Sequence, residues 1–498
     1  MSDVVLQQTP AGTPQKSTSH QPAPFLLAND PPARRGLSHL LIAPDLAKHI
    51  FRVALPVVMG MLTQTAINIL DSVMVGRLPG TLANSSQSAI GLALPIMWLV
   101  GGFLSAIWVG TQAITSRRAG EGNDLLAGRA LTNALVIALV GSATLATAAY
   151  LATPLLVPVL HRSPTVVNLG TTYIRVRLLG IPGMVATFAY KSFFDGLGRT
   201  RVFMVVALIM NITNAALNFP LIYGADFLGI PQLGARGAAI ASVIATYLGL
   251  SLLIGWSCRP SLIARYHHHN PRNINRRVIG EIIRLSLPNS FATAVVMAGF
   301  IGFYWVVGLV DARHSPPGNP LLSTASQAVV GATMFGLMTA LAFGMATAAI
   351  VSQCLGAKRP ALAAAFGWEA TKSWAYVIGL VGIGAALWPE PLLWLFNPND
   401  NVIAAATPSF RMLALFQAPA AVAIIVAQTL YGVGSAKYVM LVEFVLHVFV
   451  MTPAAALFGL VLDLGLWGVY MGPILYITLL GIAMVWKFAR GDWKDIVI

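Results

Sequence analysis

Three side chains break the apolar run that follows Pro56 in a pattern suited to holding a cation. Gln64, Asn68 and Asp71 are spaced by four and then three residues, which places them on one face of an α-helix. A carboxylate beside two amides offers oxygens to an ion or hydrogen bonds to a protonated carboxyl. An ionised Asp at the centre of a bilayer costs about 2.5 to 3.5 kcal/mol on the insertion scale, so an acid kept there points to an ion path. The competing reading puts Asp71 near the outer helix end, hydrated or paired with Arg77. A second polar stripe, Asn211, Asn214 and Asn218 before Pro220, repeats the three-and-four spacing. If the two stripes meet, six oxygen-bearing side chains converge; otherwise the amides bond neighbouring helices. In the second half Gln327, Gln417 and Glu443 are the candidates for a cleft, with Gln428 and His447 beside them. Glu443 and His447 share a helical face, although Glu443 is close to Lys437 and so to the expected cytoplasmic surface.

The elements that must position these residues are membrane helices. With 57% hydrophobic and 10% charged residues and a mean hydropathy of +0.74, the 498-residue chain has too little polar surface for a soluble globule. Apolar segments long enough to cross a bilayer as helices recur about twelve times, centred near residues 62, 102, 142, 182, 212, 246, 295, 338, 377, 418, 449 and 476. Strict alternation of the kind a β-barrel needs is missing. A net charge of +14 would suggest nucleic acid in a soluble protein, but here the cations sort by loop. Twenty-one Lys and Arg fall in one set of alternate segments, among them Arg117, Arg118, Lys191, Arg199, Arg259, Arg265, Lys358, Lys437 and Lys487, against Arg77, Arg162, Arg236 and Arg313 in the other. Positive loops stay inside, so a multi-pass protein of the cell (inner) membrane with both termini cytoplasmic is expected. Residues 1–43, rich in Pro, Gln, Ser and Thr, read as a disordered cytoplasmic tail and not as a signal peptide.

The chain also repeats. Ser86-Gln87-Ser88-Ala89-Ile90-Gly91 returns as Ser326-Gln327-Ala328-Val329-Val330-Gly331. Arg175 and Arg411, Gly196 and Gly432, Gly198 and Gly434, and Arg201 and Lys437 pair at one constant offset, while Gly234 with Gly465 and Gly237 with Gly468 pair at a slightly shorter one. Six spans per unit give both units the same orientation, a parallel repeat. The expected division is an N-lobe over 44–258, a basic cytoplasmic linker over 259–278, a C-lobe over 279–488 and a cytoplasmic tail over 489–498. Aligning Pro56 with Pro288 puts Phe303 opposite Asp71, so the acid is not needed to build the helix.

Other chemistry finds little support. There is no phosphate-binding G-x-x-x-x-G-K-[ST], no H-E-x-x-H and no nucleophile elbow, so no catalytic residue and no enzyme activity is expected. His267, His268 and His269 are adjacent and do not project to one point, so no metal site is expected; attraction of this basic loop to anionic lipids is the favoured reading. Cys258 and Cys354 offer no disulfide framework.

Leu70-Asp71-Ser72-Val73-Met74-Val75-Gly76, the segment Gln87 to Gly91, Val109-Gly110-Thr111-Gln112 ahead of Gly120, Gly196-Leu197-Gly198-Arg199-Thr200 and Leu233-Gly234 to Ala238 together resemble the MATE (multidrug and toxic compound extrusion) transporters, from about Lys48 to Lys487. The resemblance implies an all-α polytopic membrane protein, with two six-helix lobes around a central cleft. It implies efflux of cationic or amphipathic small molecules, conferring antibiotic resistance, by alternating access in exchange for protons or sodium as the coupling ion, with no cofactor. Asp71 matches the family's cation-coupling acid, Gln64 and Asn211 match polar residues of the same lobe, and Asn218 falls where some branches carry Asp. The second lobe departs: a Glu after the seventh-span proline falls on Val296, and a tenth-span Tyr and Asp fall on Phe416 and Ala420, so coupling is expected to rest on the first lobe. Expected partners are the substrate, the coupling cation and membrane lipids, for a monomer without nucleic acid. The alternatives are a flippase for a lipid-linked saccharide, with the intramembrane Arg175, Arg177 and Arg411 lending a cationic cleft, and a channel or non-transporting membrane scaffold.

Overall fold

The computed structural model describes residues 41–76, 78, 86, 90, 93, 96–160, 164–225, 229–315 and 321–496; the side chains of 64–73, 76, 98, 99, 159, 160 and 164–166 are outside that description, as is the N-terminal tail. Within it the chain is helical apart from one isolated bridge, Ala225 to Ile230. The first unit comprises α1 (Pro44–Gly76), a second span ending in α2 (Ile107–Gly120), α3 (Asp124–Leu160), α4 (Pro164–Leu179), α5 (Ile181–Gly196), α6 (Arg201–Tyr223) and α7 (Ala235–Ser257). After the short α8 (Pro260–Tyr266) the second unit follows with α9 (Arg276–His314), α10 (Leu321–Gly356), α11 (Pro360–Leu387), the short α12 (Glu390–Phe396), α13 (Asp400–Leu415), α14 (Gln417–Gly432), α15 (Ala436–Leu446) and α16 (Gly465–Arg490). Among the described residues nine helices are long and apolar enough to cross a membrane, and α13 with α14 forms a tenth span bent by 52°. Ten spans among the described residues are roughly consistent with the twelve expected. Asn side chains start several helices: Asn275 accepts from the Arg277 amide and Asn399 from the Asn401 amide, satisfying N–H groups that have no intrahelical partner.

The repeat is visible in the backbone. Gly198 and its counterpart Gly434 have φ of 72° and 96°, and Gly234 and Gly465 have φ of 56° and 60°, a region open chiefly to glycine. The helices break at equivalent points, between α4 and α5 at Gly180 and between α13 and α14 at Phe416.

The lobe boundaries are less clean than the spans. Leu46, Ile50, Val53 and Val57, on the first half of α1, belong to a core cluster built mainly from Phe343, Phe366, Trp374, Leu430 and other residues of the second unit. Ile282 and Leu285, at the start of α9, belong to the core of the first unit. Each unit therefore lends the start of its first helix to the other. The segments flanking the units are docked as well. In the linker, α8 buries Leu262 and Tyr266. In the tail, Trp493 is fully buried, stacked 4.7 Å from Phe488.

Candidate functional site

Ties at three levels hold α1 and α6 side by side in the same direction. The Thr200 hydroxyl donates to the Val53 carbonyl at 2.8 Å, Gly60 lies under the Phe203 ring, and the Tyr223 hydroxyl donates to the Met74 carbonyl at 2.7 Å. With a helical rise of about 1.5 Å per residue on both helices, positions 64 to 71 of α1 lie level with positions 211 to 220 of α6. Gln64, Asn68 and Asp71 thus lie in α1 beside the asparagine stripe, although their side chains, and Arg77 altogether, fall outside the described residues.

The stripe itself is partly engaged. Asn214 Nδ2 donates to Ser242 Oγ on α7 at 3.2 Å, and Asn218 Nδ2 to Asn214 Oδ1 at 3.4 Å. Both residues are buried. Asn211 is only half-buried, yet its Nδ2 is enclosed and finds no partner among the described residues. The ladder therefore joins α6 to α7 at one end and keeps an uncommitted donor at the other. Behind it a pocket is lined by Met97, Arg177, Met184 and Ser242.

The second unit does not gather its candidates. Gln327 is exposed near the start of α10, nine residues and so about 13 Å of helix before Gly336. Gln417, at the bend of the tenth span, lies against Gly336, with Nε2 3.4 Å from the Thr333 carbonyl. Glu443 lies at a third level, where its Oε2 accepts from the Tyr431 hydroxyl at 2.9 Å. At the repeat position of Asp71, Phe303 is buried in an aromatic group with Tyr304 and Tyr470. Val296 and Ala420 are half-buried.

The end of the molecule that carries the basic loops is closed by the crossing of α2 and α10. Gln112 Nε2 donates to the Met345 carbonyl and Gln353 Nε2 to the Gly196 carbonyl, each at 2.6 Å. The approach is symmetrical: a Cβ on Gly120 would overlap the Gln353 carbonyl, and one on Gly356 would overlap the Arg117 carbonyl. Arg117, largely buried, reaches the Ile496 carbonyl at 2.5 Å.

Sequence reasoning placed Lys191 among the loop cations, but it lies inside α5. Its Nζ pairs with Asp195 Oδ2 at 2.7 Å, with side chains 3% and 2% exposed. The signal was the four-residue spacing of a cation and an acid in an apolar run, which suits a helical pair. The three histidines are not all offered to lipid either. Positive φ at His267 and His269 turns the chain back, so that His268 Nε2 donates to the Ser257 carbonyl and His269 Nε2 meets Ser257 Oγ, both at 2.9 Å. Burial, with His269 alongside, pushes the His268 imidazole down to about 4. Among the described residues no group of three His, Cys, Asp or Glu could hold a metal. Cys258 and Cys354 are free thiols. Of the intramembrane arginines, Arg175 stacks 4.8 Å from the Tyr150 ring and Arg411 lies 3.8 Å from Glu390.

Comparison with known proteins agrees with this architecture. The family model MatE matches residues 56–220 and 323–455. The multidrug resistance protein PmpM of Pseudomonas aeruginosa is 26% identical over 407 residues, covering 79% of this chain and 80% of that protein. The multidrug resistance protein NorM of Vibrio vulnificus is 23% identical over 465 residues, covering 90% and 96%. Among solved structures, a MATE in complex with MaL6 superposes with a TM-score of 0.82 at 20% identity, covering 93% of this chain and all of that one. The outward-facing conformation of a multidrug resistance MATE family transporter superposes with a TM-score of 0.81 at 19% identity, with the same coverage.

Proposed function

Since the chain belongs to the MatE family, we propose that it exports cationic or amphipathic small molecules in exchange for protons or sodium by alternating access. The observation that carries this reading is the parallel packing of α1 on α6, which sets the positions of Gln64, Asn68 and Asp71 level with Asn211, Asn214 and Asn218. The names of the curated relatives PmpM and NorM, both multidrug resistance proteins, support the same substrate class.

In this mechanism Asp71 is the coupling residue. Its carboxylate takes a cation from the outer side while the substrate leaves, and the amides of Gln64, Asn68 and Asn211 complete the polar seat. Coupling ion and substrate compete because both need the same negative charge. One cation moving inward down the membrane potential supplies about 2.3 kcal/mol per 100 mV, which drives the return of the lobes. The N-lobe (44–258) and C-lobe (279–488) rock against each other, with the crossing of α2 and α10 formed in the state closed at the basic end and parted in the other, and the basic end faces the cytoplasm by the positive-inside rule.

The test is uptake of a fluorescent organic cation into inside-out vesicles, with a proton or a sodium gradient imposed alone. Asp71→Asn should abolish gradient-driven transport while the protein remains folded and in the membrane. Full transport by that variant would sink the reading, and whichever gradient drives the wild type identifies the ion.

A further inference from the structure

The eleventh span, Ala436–Val461, carries an acid that the mechanism above leaves unused. On α15 the residues Ala436, Val439, Leu446 and His447 are buried, whereas Leu441, Phe444, Val445 and Val448 are exposed. At about 100° per residue, Glu443 falls in the middle of the buried stripe. It nevertheless keeps partial exposure. The lipid-facing side is the opposite one, so the carboxyl is carried on the face turned into the protein.

Two phenols reach the carboxyl, and an imidazole lies one turn on against the second of them. Tyr431, buried on α14, donates its hydroxyl to Glu443 Oε2 at 2.9 Å. Tyr476 comes close enough from α16 to interact with the same carboxyl electrostatically. His447 donates Nδ1–H to the Glu443 carbonyl at 3.0 Å, and its ring centre lies 4.1 Å from that of Tyr476. From α9 the neighbour is Gly299, where a Cβ would come 2.7 Å from the His447 ring. Among the described residues no Lys or Arg acts on Glu443.

We propose that Glu443, Tyr431, Tyr476 and His447 form a second proton-carrying site, so that the exchange moves a proton on the C-lobe as well as on Asp71. This rests on the transport reading above. The donor set selects the proton: a hard metal cation takes about six oxygens, and one carboxylate with two phenols falls short of that. The close packing of His447 on Gly299 and the burial of Tyr431 leave no room for an organic cation. The step is a simple proton transfer, in which water on one side of the membrane gives H⁺ to the Glu443 carboxylate, forming an O–H bond, and water on the other side takes it back. Tyr431 rides on the second half of the bent tenth span, so a change in the bend at Phe416 reaches the described hydrogen bond of this carboxyl directly.

The experiment counts protons moved per ethidium in liposomes holding the full chain, beside infrared difference spectra of the carboxyl band between acid and alkaline pH. Glu443→Gln should halve the proton-to-ethidium ratio and remove one titrating carboxyl band, Glu443→Asp should keep both, and Tyr431→Phe should keep the band but move its midpoint. If the wild type exchanges protons for ethidium and Glu443→Gln keeps the full ratio and every band, the proposal is overturned. If the wild type moves neither protons nor sodium with ethidium, the transport reading fails, and the infrared comparison still decides whether Glu443 takes up a proton; if it moves sodium alone, the transport reading stands and the proton-carrying site is overturned. Should Glu443→Gln not fold, Tyr431→Phe with an unmoved band overturns the proposal on its own.

Discussion

Replacing Gly120 with Ala tests what keeps the basic end shut. In the closed arrangement the added Cβ would lie roughly 1 Å inside the nearest approach that real Cβ atoms make, against the Gln353 carbonyl of a packed helix end. Backbone cannot swing aside as a long side chain can, so α2 and α10 must separate or bend. Overpacking of this kind costs about 1 to 3 kcal/mol. The cost falls on the closed state alone, because the clash exists only while the two helix ends cross. It therefore shifts the balance toward a state open at the basic end by about 5- to 150-fold. Gly356→Ala, which meets the Arg117 carbonyl in the same way, should do the same. Spin labels at Leu125 and Ala361, both exposed, in a background with Cys258 replaced by Ser, would report the separation by pulsed electron resonance. The expected result is a new population at longer distance in each variant and a larger one in the pair. An unchanged distance distribution in all three would refute the claim that these glycines hold the ends together.

Asp195→Asn should strand the Lys191 ammonium in a dry site and destabilise the protein by about 3 to 5 kcal/mol, seen as a lower melting temperature in detergent. The double replacement Lys191→Met with Asp195→Leu should recover most of that loss. His268 holds its imidazole at about 4, below its ordinary 6.5. The unfolded chain therefore binds the extra proton first, and stability should be complete above about pH 6.5 and decline as the pH falls toward 4. His268→Gln, which can still donate to the Ser257 carbonyl, should flatten that decline in melting curves taken across the range.

The spans and the repeat were legible because hydropathy and glycine each leave a local trace. An apolar run of helical length is its own evidence, and Gly198 with Gly434 or Gly234 with Gly465 mark turns whose φ few other residues tolerate. That the segment holding Asp71 lies level with the segment holding the asparagines needed only that α1 and α6 pack in parallel. Depth along the helices was not legible. Gln327, Gln417 and Glu443 look alike as polar interruptions, but they lie at three levels of the C-lobe, because level is set by the register of one helix against another. Lys191 was misplaced for a related reason: a charge count sees a cation and cannot see that Asp195, one turn on, neutralises it inside the helix. The partners of the histidines were not legible because two left-handed residues fold the loop back on Ser257, a conformation that the sequence does not announce.

The exchange of helix starts between the two units also sets a timetable for synthesis. Phe51 on α1 packs against Phe343 and Trp374. It waits for partners made roughly 290 residues later, which at about 5 to 20 residues per second is roughly a quarter of a minute to a minute. During that interval the face of Ile50, Val53 and Val57 must rest on lipid or on the insertion machinery. The start of α9 meets no such delay, since Gly110, whose amide donates to Ser286 Oγ, is already in place when it emerges. One face of α1 is thus seated on α6 early while the face of Phe51 stays open until the second unit is under way, and slow synthesis should harm this protein at that face more than at the start of α9.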